Sequence, residues 1–201
     1  MITILDYQMG NLKSVAKAIE SLDYSWELVT DPESILDAQK LIVPGVGGFP
    51  DCMKVLHQRG LDGALLEYIE SGRPYLGICL GMQILMEVGE EGGKHEGLGF
   101  FKGRVKRFDP KLNLKIPHMG WNRLQVNPDS QVLEGLGQDP YVYFVHSYYV
   151  EPEDKSIIAS QTDYGVNFAS ALEKDNVYAV QFHPEKSQKV GLKILDNFCK
   201  L

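Results

Sequence analysis

The sequence predicts an α/β fold: a mostly parallel, doubly wound sheet with helices on both faces and added antiparallel strands. Short apolar runs alternate with segments of helical periodicity as far as residue 88, and this βαβα order places helices on both faces of a parallel sheet. After Gly89, short strand-like segments follow one another through tight turns, as antiparallel strands do. There is no internal repeat and no linker, so we predict one domain spanning residues 1–201.

Four short apolar runs in the first half are predicted strands. Each contains branched or aromatic side chains, which favour strands. The third run lacks the polar alternation of a half-exposed strand, which indicates burial on both faces. The predicted strands are Ile2–Leu5, Trp26–Thr30, Leu41–Val43 and Tyr75–Ile78.

Segments of helical character connect these strands. In the first, apolar residues recur at the three- and four-residue spacing of a helix, and Asn11 is placed to cap it. The second opens with Asp31-Pro32-Glu33, which has the residue types of a helix start. The predicted helices are Leu12–Leu22, a short one from Pro32, Cys52–Ile69 with a break near Gly60, and Leu80–Val88.

The second half is predicted to consist of strands joined by short turns, followed by one terminal helix. β-Branched and aromatic residues are frequent in the strand segments, and several strands are expected to extend the sheet in antiparallel orientation. The strands are Gly103–Phe108, Asn122–Val126, Tyr141–Val150, Ile157–Gln161, Phe168–Leu172 and Val177–Phe182, and the helix is Val190–Phe198.

Composition excludes several classes of function. A formal net charge of −7 argues against a nucleic-acid partner, because phosphate binding needs a concentrated basic face. There is no secretory-signal pattern and no apolar stretch of membrane-spanning length. Cys52, Cys79 and Cys199 include no Cys-x-x-Cys pair, no acidic or histidine cluster has metal spacing, and Glu90-Glu91 is expected in a solvated loop. We therefore expect a cytoplasmic protein without disulfides, a metal or another cofactor.

Gly77-Ile78-Cys79-Leu80-Gly81 is the strongest candidate for a catalytic segment. Gly-x-Cys-x-Gly between a strand and a helix is the thiol counterpart of the Gly-x-Ser-x-Gly nucleophile elbow. A sharp strand-to-helix turn strains its central residue, and glycines two positions away leave room for the turn. Such a turn would expose the Cys79 sulfur at the carboxyl end of the sheet and offer the Leu80 N–H to an oxyanion. A buried structural cysteine after a strand is the alternative.

A cysteine nucleophile needs a base and a group that orients the base. Among the five histidines, His183 ends an apolar strand, and Glu185 lies two residues further on, where it could hold the imidazole in one tautomer. For this segment alone, a surface histidine at a strand end is the simpler interpretation. Together with the elbow, the pattern favours a triad of Cys79, His183 and Glu185.

Pro44-Gly45-Val46-Gly47-Gly48 follows the third predicted strand and leaves backbone amides uncovered, which suits an oxyanion or a phosphate. The segment lacks the Lys-Ser/Thr ending of a Walker loop and the spacing of a dinucleotide fingerprint. A nucleotide site is therefore not expected, and a flexible glycine turn remains an open alternative.

Six segments together resemble the class I (triad) glutamine amidotransferases. Residues 77–83 (Gly-Ile-Cys-Leu-Gly-Met-Gln) and 181–187 (Gln-Phe-His-Pro-Glu-Lys-Ser) look like the two active-site motifs of that family. Four others look like the glutaminase subunits of imidazole glycerol phosphate synthases, which act in histidine biosynthesis. On composition alone, the last two of these four are more typical of core strands than of a site. The four are 6–11 (Asp-Tyr-Gln-Met-Gly-Asn), 44–47 (Pro-Gly-Val-Gly), 117–122 (Pro-His-Met-Gly-Trp-Asn) and 143–148 (Tyr-Phe-Val-His-Ser-Tyr).

The resemblance implies a glutaminase mechanism and assigns residues to it. Cys79 would attack the glutamine carboxamide to form a glutamyl thioester. His183, oriented by Glu185, would protonate the leaving ammonia and then activate water. The Leu80 amide and, after a peptide reorientation, the Val46 amide would form the oxyanion hole. The substrate-binding residues would be Gly47, Gln83, His146, Ser147 and Tyr148.

The resemblance also implies a partner, a (β/α)8-barrel cyclase that forms a heterodimer with this chain and receives its ammonia without exposure to solvent. The cyclase would combine ammonia with a phosphoribulosyl ribonucleotide to give imidazole glycerol phosphate and an aminoimidazole carboxamide ribotide. Glycines on both sides of Val46 would ease a peptide flip, so that glutamine turnover stays weak until the cyclase site is occupied. The positions facing the partner would be Asn11, Met119, Trp121 and Lys186.

Two alternative functions are compatible with the same fold. It could be the glutaminase subunit of another ammonia-using synthase, although residues 117–122 are what separates the resembled subunit from its relatives in other pathways. A non-catalytic regulatory module with the same fold would be expected to lack the cysteine or the His-x-Glu pair, and both are present.

Overall fold

The computed structural model, which describes residues 1–201, alternates strands and helices through its first 89 residues. The strands are β1 (Ile2–Leu5), β2 (Trp26–Val29), β3 (Leu41–Gly45), β4 (Tyr75–Cys79) and β5 (Met86–Gly89). The helices are α1 (Leu12–Glu20), α2 (Pro32–Asp37), α3 (Phe49–Gln58), α4 (Leu61–Glu70) and α5 (Leu80–Gln83).

The remainder of the chain is mostly strands, with short 3-10 turns at residues 110–112, 155–157 and 184–186. The strands are β6 (His95–Glu96), β7 (Phe101–Arg107), β8 (His118–Arg123), β9 (Gln125–Val126), β10 (Tyr141–His146), β11 (Tyr148–Pro152), β12 (Ile158–Asp163), β13 (Asn167–Lys174) and β14 (Val177–Val180). The terminal helix is α6 (Gln188–Lys200). None of the helices combines the length and the apolar character that crossing a membrane requires.

An eight-stranded sheet in the order β2-β1-β3-β4-β14-β13-β12-β9 forms the centre of the structure. Strands β2, β1, β3, β4 and β14 pair in parallel. Strands β13, β12 and β9 extend the sheet in antiparallel orientation. The predicted mostly parallel sheet with added antiparallel strands is therefore confirmed. Two smaller sheets, β10-β8 and β11-β7-β5-β6, stand apart from it.

Helices cover both faces of the central sheet, as predicted. Successive strand residues point to opposite faces, and the core divides accordingly. Leu5 belongs to the cluster that contains side chains of α2, α3 and α4. Its neighbour Ile4 belongs to the cluster that contains side chains of α1 and α6. The apolar runs without polar alternation are thus explained by burial from both sides.

Most local signals for the first helices are confirmed. The Asp31 side chain accepts a hydrogen bond from the Ser34 N–H at 3.0 Å and so caps α2. Gly60 separates α3 from α4 with a left-handed φ of 65°. Asn11 occupies the N-cap position of α1, but its side chain makes no capping hydrogen bond, so the prediction of a side-chain cap was wrong.

The predicted helix Leu80–Val88 is wrong beyond its first turn. Helix α5 ends at Gln83, and the chain continues into β5, which pairs with β6 and β7. Residues Ile84, Leu85 and Met86 are all fully buried, so the segment has no polar face to turn toward solvent as a surface helix would. Pairing with distant strands therefore decides its conformation.

The predicted strand Tyr141–Val150 is two strands that belong to different sheets. The chain breaks at Ser147, so that β10 pairs with β8 while β11 pairs with β7. Every residue around the break is compatible with a strand, and the composition carried no signal for it. The predicted strand Asn122–Val126 likewise divides between β8 and β9 at Leu124.

We predict that Gly77→Ala lowers the free energy of unfolding by about 1 to 3 kcal/mol, because overpacking a close contact forces the backbone to shift. A Cβ at Gly77 would overlap the carbonyl of Gly81, where β4 passes into α5. Urea unfolding followed by circular dichroism measures this change.

Gly63→Ala is the matched control. Gly63 is exposed on α4, and a Cβ there would meet no atom within 4 Å. Because alanine favours a helix over glycine by up to about 1 kcal/mol, Gly63→Ala is expected to leave stability unchanged or raise it. Equal stability of Gly77→Ala and wild type would contradict the close approach of the two glycines.

Candidate active site

Cys79 lies at the junction of β4 and α5 with φ 55° and ψ −104°, a conformation that is strained for a residue other than glycine. A Cβ at Gly81 would overlap the carbonyl of Val43 on β3, so α5 can start against the sheet only because Gly81 has no side chain. The predicted elbow is therefore present in the structure.

His183 and Glu185 follow β14, the strand next to β4. His183 Nδ1 lies 2.8 Å from Glu185 Oε1, and the two side chains are only 2% and 1% exposed. The His183 N–H donates to the carbonyl of Tyr143 at 2.9 Å, which anchors the backbone. His183 Nε2 makes no hydrogen bond within the chain, so this nitrogen is free to exchange a proton.

Neighbouring groups decide the charge of His183. Burial alone lowers its pKa, but negative charge on the Cys79 sulfur and on the Glu185 carboxylate outweighs burial and raises the pKa to about 9. The imidazolium is therefore the favoured form at neutral pH, and it stabilises negative charge on a nearby sulfur. Burial raises the pKa of Cys52 and of Cys199 to about 12, which keeps both as unreactive thiols.

One cavity of about 360 Å³ brings the predicted site residues together. It opens where the adjacent parallel strands β3, β4 and β14 end, the edge at which doubly wound sheets bind ligands. Glu185 lies behind His183, and every other residue predicted for catalysis, the oxyanion hole or substrate binding lines the cavity. The lining residues are Val46, Gly47, Cys79, Leu80, Gln83, Glu91, Pro117, Val145, His146, Ser147, Tyr148 and His183.

The two predicted oxyanion donors differ in whether their backbone N–H already has a hydrogen-bond partner. Leu80 is the first residue of α5, where backbone N–H groups have no partner within the helix. The Val46 N–H instead donates to the carbonyl of Met9 at 3.1 Å. Gly47 follows with φ 122°, and a Cβ there would come within 2.8 Å of the Met9 Cε. In this conformation the Val46 amide is therefore engaged elsewhere.

Gln83 and Gln181 connect the cavity wall to the sulfur. The Gln83 side chain donates from Nε2 to the Tyr148 carbonyl at 3.2 Å and to Gln181 Oε1 at 3.0 Å. Gln181 Nε2 in turn donates to Cys79 Sγ at 3.6 Å. Sequence reasoning did not select Gln181. The signal was its position two residues before His183, which places both on the same side of an extended segment.

Glu91 is a second residue that sequence reasoning missed, since Glu90-Glu91 was expected in a solvated loop. Glu91 Oε2 accepts a hydrogen bond from the Phe49 N–H at 2.7 Å, at the start of α3. A helix N-terminus attracts a carboxylate, so this contact holds Glu91 at the start of α3, beside the cavity. Glu91 is the only carboxylate among the lining residues, so it favours a cationic group of a ligand.

The residues predicted to face a partner lie on one side of the molecule. Met119 and Trp121 are 55% and 47% exposed on the outer face of β8. Lys186 Nζ lies 6.0 Å from the ring centre of Tyr143, the residue opposite Trp121 across the β8–β10 pair. Asn11 precedes α1, which contacts the turn at residues 184–186.

Comparison with known sequences covers nearly the whole chain. The sequence model of the family described as glutamine amidotransferase class-I matches residues 3–201. The chain is 51% identical to the imidazole glycerol phosphate synthase subunit HisH of Syntrophotalea carbinolica, with 98% of each protein covered. It is 50% identical to the subunit of the same name from Aquifex aeolicus, over 97% of this chain and 94% of that relative.

Solved structures share the fold at low sequence identity. PurLQS from Thermotoga maritima superposes with a TM-score of 0.78 at 18% identity, covering 99% of this chain and 97% of the other. A crystal structure of a glutamine amidotransferase superposes with a TM-score of 0.76 at 20% identity, covering 98% of each chain. These likenesses establish the fold alone.

We predict that Glu185→Gln lowers the free energy of unfolding by about 3 kcal/mol below pH 6.5, because it leaves a buried charged imidazole without its partner. The pKa of His183 is raised in the folded protein to about 9, above the unfolded value of about 6.5. The stability it contributes is therefore complete below about pH 6.5 and is lost as the pH rises through about 9. Urea unfolding of both proteins between pH 6 and pH 10 measures the difference.

The exposed pair His57–Asp62 is the matched control, since its two side chains are also 2.8 Å apart. Asp62→Asn is expected to change stability by less than about 1 kcal/mol across the same pH range. A difference between wild type and Glu185→Gln that is the same at pH 6 and pH 10 would contradict the coupling of His183 to Glu185.

Proposed function

This chain belongs to the class-I glutamine amidotransferase family, and on that premise we propose that it hydrolyses glutamine as the glutaminase subunit of imidazole glycerol phosphate synthase. The observation that carries the proposal is that Cys79 and His183 line one cavity, with Glu185 hydrogen-bonded to His183 behind it. Relatives that are about 50% identical over almost the whole chain bear the name of that subunit. Their name supports a role in histidine biosynthesis.

In the first half of the reaction, Cys79 Sγ attacks the carbonyl carbon of the glutamine carboxamide as a thiolate. The new C–S bond gives a tetrahedral oxyanion. His183 Nε2 gives its proton to the amide nitrogen, the C–N bond breaks, and ammonia leaves a glutamyl thioester. Glu185 holds the proton on His183 Nδ1, so that Nε2 is the nitrogen directed toward the reaction.

In the second half, the neutral His183 Nε2 takes a proton from water, and the resulting hydroxide attacks the thioester carbonyl. The C–S bond breaks, glutamate leaves, and the thiolate and imidazolium are restored. The raised pKa of His183 suits the first step, since the ring begins as a proton donor. No metal or cofactor takes part in this scheme.

Substrate recognition is assigned to the groups that line the cavity. The Glu91 carboxylate is opposite in charge to the α-ammonium group of glutamine and is placed to bind it. Gln83 uses its Nε2 within the chain, so its Oε1 is left to accept a hydrogen bond from the substrate. Gly47, Ser147 and Tyr148 form the adjoining wall, with His146 beside them.

The oxyanion hole is incomplete at rest in this proposal. Leu80 supplies one donor, while the Val46 N–H is held by the Met9 carbonyl. A reorientation of the peptide before Val46 would release that N–H, and the glycines at positions 45 and 47 keep the cost of the change low. Loss of one oxyanion donor slows related reactions by about 100- to 1,000-fold, so weak glutaminase activity is expected until a partner induces the change.

The partner is proposed to be a (β/α)8-barrel cyclase that docks on the outer face of β8 and β10 as a heterodimer. Exposed aromatic and sulfur-containing side chains of this face are the types enriched in interfaces. Ammonia would cross the shared interface and yield imidazole glycerol phosphate and an aminoimidazole carboxamide ribotide. A cytoplasmic location belongs to the same proposal, because all three cysteines are free thiols. The docking residues are Asn11, Met119, Trp121 and Lys186.

We predict that Cys79→Ala lowers glutamine turnover by at least about a thousandfold, because the covalent intermediate can no longer form. Ammonia release from glutamine, measured with and without the cyclase and its nucleotide, tests this. An electrophilic glutamine analogue is expected to label Cys79 alone, as judged by peptide mass spectrometry.

Cys52→Ala and Cys199→Ala are the controls, since both thiols are buried away from the cavity. Both variants are expected to keep wild-type kcat. Glutamine turnover that survives Cys79→Ala would refute the mechanism.

We predict that the isolated chain releases ammonia at least about 100-fold more slowly than the chain with its cyclase and nucleotide, since one oxyanion donor is engaged. Trp121→Ala is expected to weaken binding to the cyclase by about 30-fold, the cost of truncating a central interface tryptophan. Coupled assays of ammonia release and isothermal titration calorimetry measure the two effects.

Leu28→Ala is the matched control for the interface. Leu28 is 45% exposed, as much as Trp121, but lies on the edge strand β2 of the central sheet. Its truncation should leave binding unchanged. Full turnover by the isolated chain would overturn the regulatory part of the proposal, and equal effects of the two truncations would overturn the docking face.

A further inference from the structure

A chain of hydrogen bonds begins on β8 and reaches the cavity wall. Asn122 Nδ2 lies 3.2 Å from His118 Nε2, and His118 Nδ1 lies 2.9 Å from His146 Nε2. His146 Nδ1 lies 2.7 Å from the carbonyl oxygen of Tyr148. The two histidines face each other across the β8–β10 pair, so the register of these strands creates the contact.

The chain continues from the Tyr148 carbonyl to the nucleophile. That oxygen also accepts from Gln83 Nε2, which donates in addition to Gln181 Oε1. Gln181 Nε2 donates to Cys79 Sγ. We call the side chains of Asn122, His118, His146, Gln83 and Gln181, with the Tyr148 carbonyl, the polar relay.

The direction of every bond in the first half is fixed. The Tyr148 carbonyl can only accept, so His146 Nδ1 carries a hydrogen. Burial lowers the pKa of His146 to about 3 and that of His118 to about 4, so each ring is neutral and has one N–H. His146 Nε2 must therefore accept from His118 Nδ1, and His118 Nε2 must accept from Asn122.

The amide of Asn122, the first member of the relay, is oriented by hydrogen bonds to groups outside the relay. Asn122 Oδ1 accepts from the Arg123 N–H at 2.8 Å, and Nδ2 also donates to the Asp163 carbonyl at 2.9 Å. Both contacts require the same amide orientation, and that orientation presents an N–H to His118. The relay thus starts from a group that cannot flip without losing two hydrogen bonds.

Packing holds the rings in place. The His118 ring is stacked between Tyr164, at 4.0 Å, and Phe144, at 4.7 Å between ring centres. His146 and Gln181 are buried. Each donor that lost its acceptor here would be left without water, at a substantial cost in free energy. The relay therefore has one low-energy arrangement.

We propose that His118, His146 and Gln181 are positioning residues for glutamine hydrolysis, which orient the Gln83 amide and supply a hydrogen-bond donor to the Cys79 sulfur. A donor on sulfur stabilises the thiolate relative to the thiol, and a fixed Gln83 presents Oε1 to the substrate. None of the three residues needs to touch the reacting bond. The inference rests on the proposed function for the identity of the reaction that they support.

The first test measures the rate constant for alkylation of Cys79 by iodoacetamide in the full-length chain, on the acid limb of the pH–rate profile, where the thiolate is the minor form. Gln181→Met keeps the length of the side chain but removes the donor. The expected result on that limb is alkylation slower by several-fold. Losing a hydrogen bond to a charged atom lowers the thiolate fraction by about tenfold, and the greater nucleophilicity of a less stabilised thiolate recovers part of the rate. A wild-type rate in Gln181→Met would overturn the proposal for Gln181.

The second test uses two substitutions of similar volume at His118, which does not line the cavity. His118→Asn places an N–H near the former Nδ1 position, whereas His118→Leu removes both ring nitrogens. If His118 only fills the core, His118→Leu should retain the alkylation rate better than His118→Asn. If His118 acts through the relay, His118→Asn should retain it better. We expect alkylation near the wild-type rate in His118→Asn and several-fold slower in His118→Leu, with a higher KM for glutamine in His118→Leu.

Ser170→Ala is the control for loss of a buried hydrogen bond. Ser170 Oγ lies 2.8 Å from Ser160 Oγ within the central sheet, and neither belongs to the relay. Loss of this hydrogen bond in Ser170→Ala is expected to lower the unfolding temperature and leave the alkylation rate of Cys79 unchanged. Alkylation rates that follow stability across these variants would overturn the relay. Failure of the proposed function would instead appear as glutamine turnover that survives Cys79→Ala.

Discussion

The backbone at Cys79 is the constraint on which the rest of the site depends. Its positive φ turns the chain from β4 into α5 within one residue, and the turn fits only because Gly77 and Gly81 let backbone approach backbone. The sulfur is thereby fixed between the ends of β3 and β14, which are followed by Val46 and His183. The packing of the sheet offsets the strain at this one residue, so the sulfur is held in place and needs no reorganisation to meet a ligand in the cavity.

Two kinds of histidine meet in the same cavity, and their neighbours separate them. His183 faces the Cys79 sulfur and a carboxylate, and negative charge on these two groups raises its pKa to about 9 against the effect of burial. His146 faces a carbonyl and a neutral histidine, so burial prevails and its pKa falls to about 3. One ring is therefore suited to carry a proton through a reaction, and the other is suited to hold fixed hydrogen bonds. Environments that push pKa values apart in this way separate the roles of like residues.

The sequence allowed the elbow, the His-x-Glu pair and the parallel sheet to be predicted, because glycine spacing and unbroken apolar runs are local signals. It did not show that the apolar run after Gln83 would form β5, since only pairing with the distant β7 decides that conformation. The contacts of Glu91 and Gln181 could not be predicted for the same reason. Glu91 lies in a glycine-rich loop and Gln181 directly follows a strand. Their hydrogen bonds form only because the fold brings their partners close, the Phe49 N–H to Glu91 and the Cys79 sulfur to Gln181.

Strand β8 carries different kinds of side chain on its two faces, because successive residues of a strand point to opposite sides. The outward residues Met119 and Trp121 are exposed and apolar, which suits a docking face. The inward residues His118 and Asn122 are polar and fully engaged. A polar inner face would be costly in a core unless every group had a partner, and here each hydrogen bond continues toward the cavity. The alternation of side chains along β8 thus places the proposed docking surface on one face and, on the other, the groups that fix the wall against which glutamine is proposed to bind.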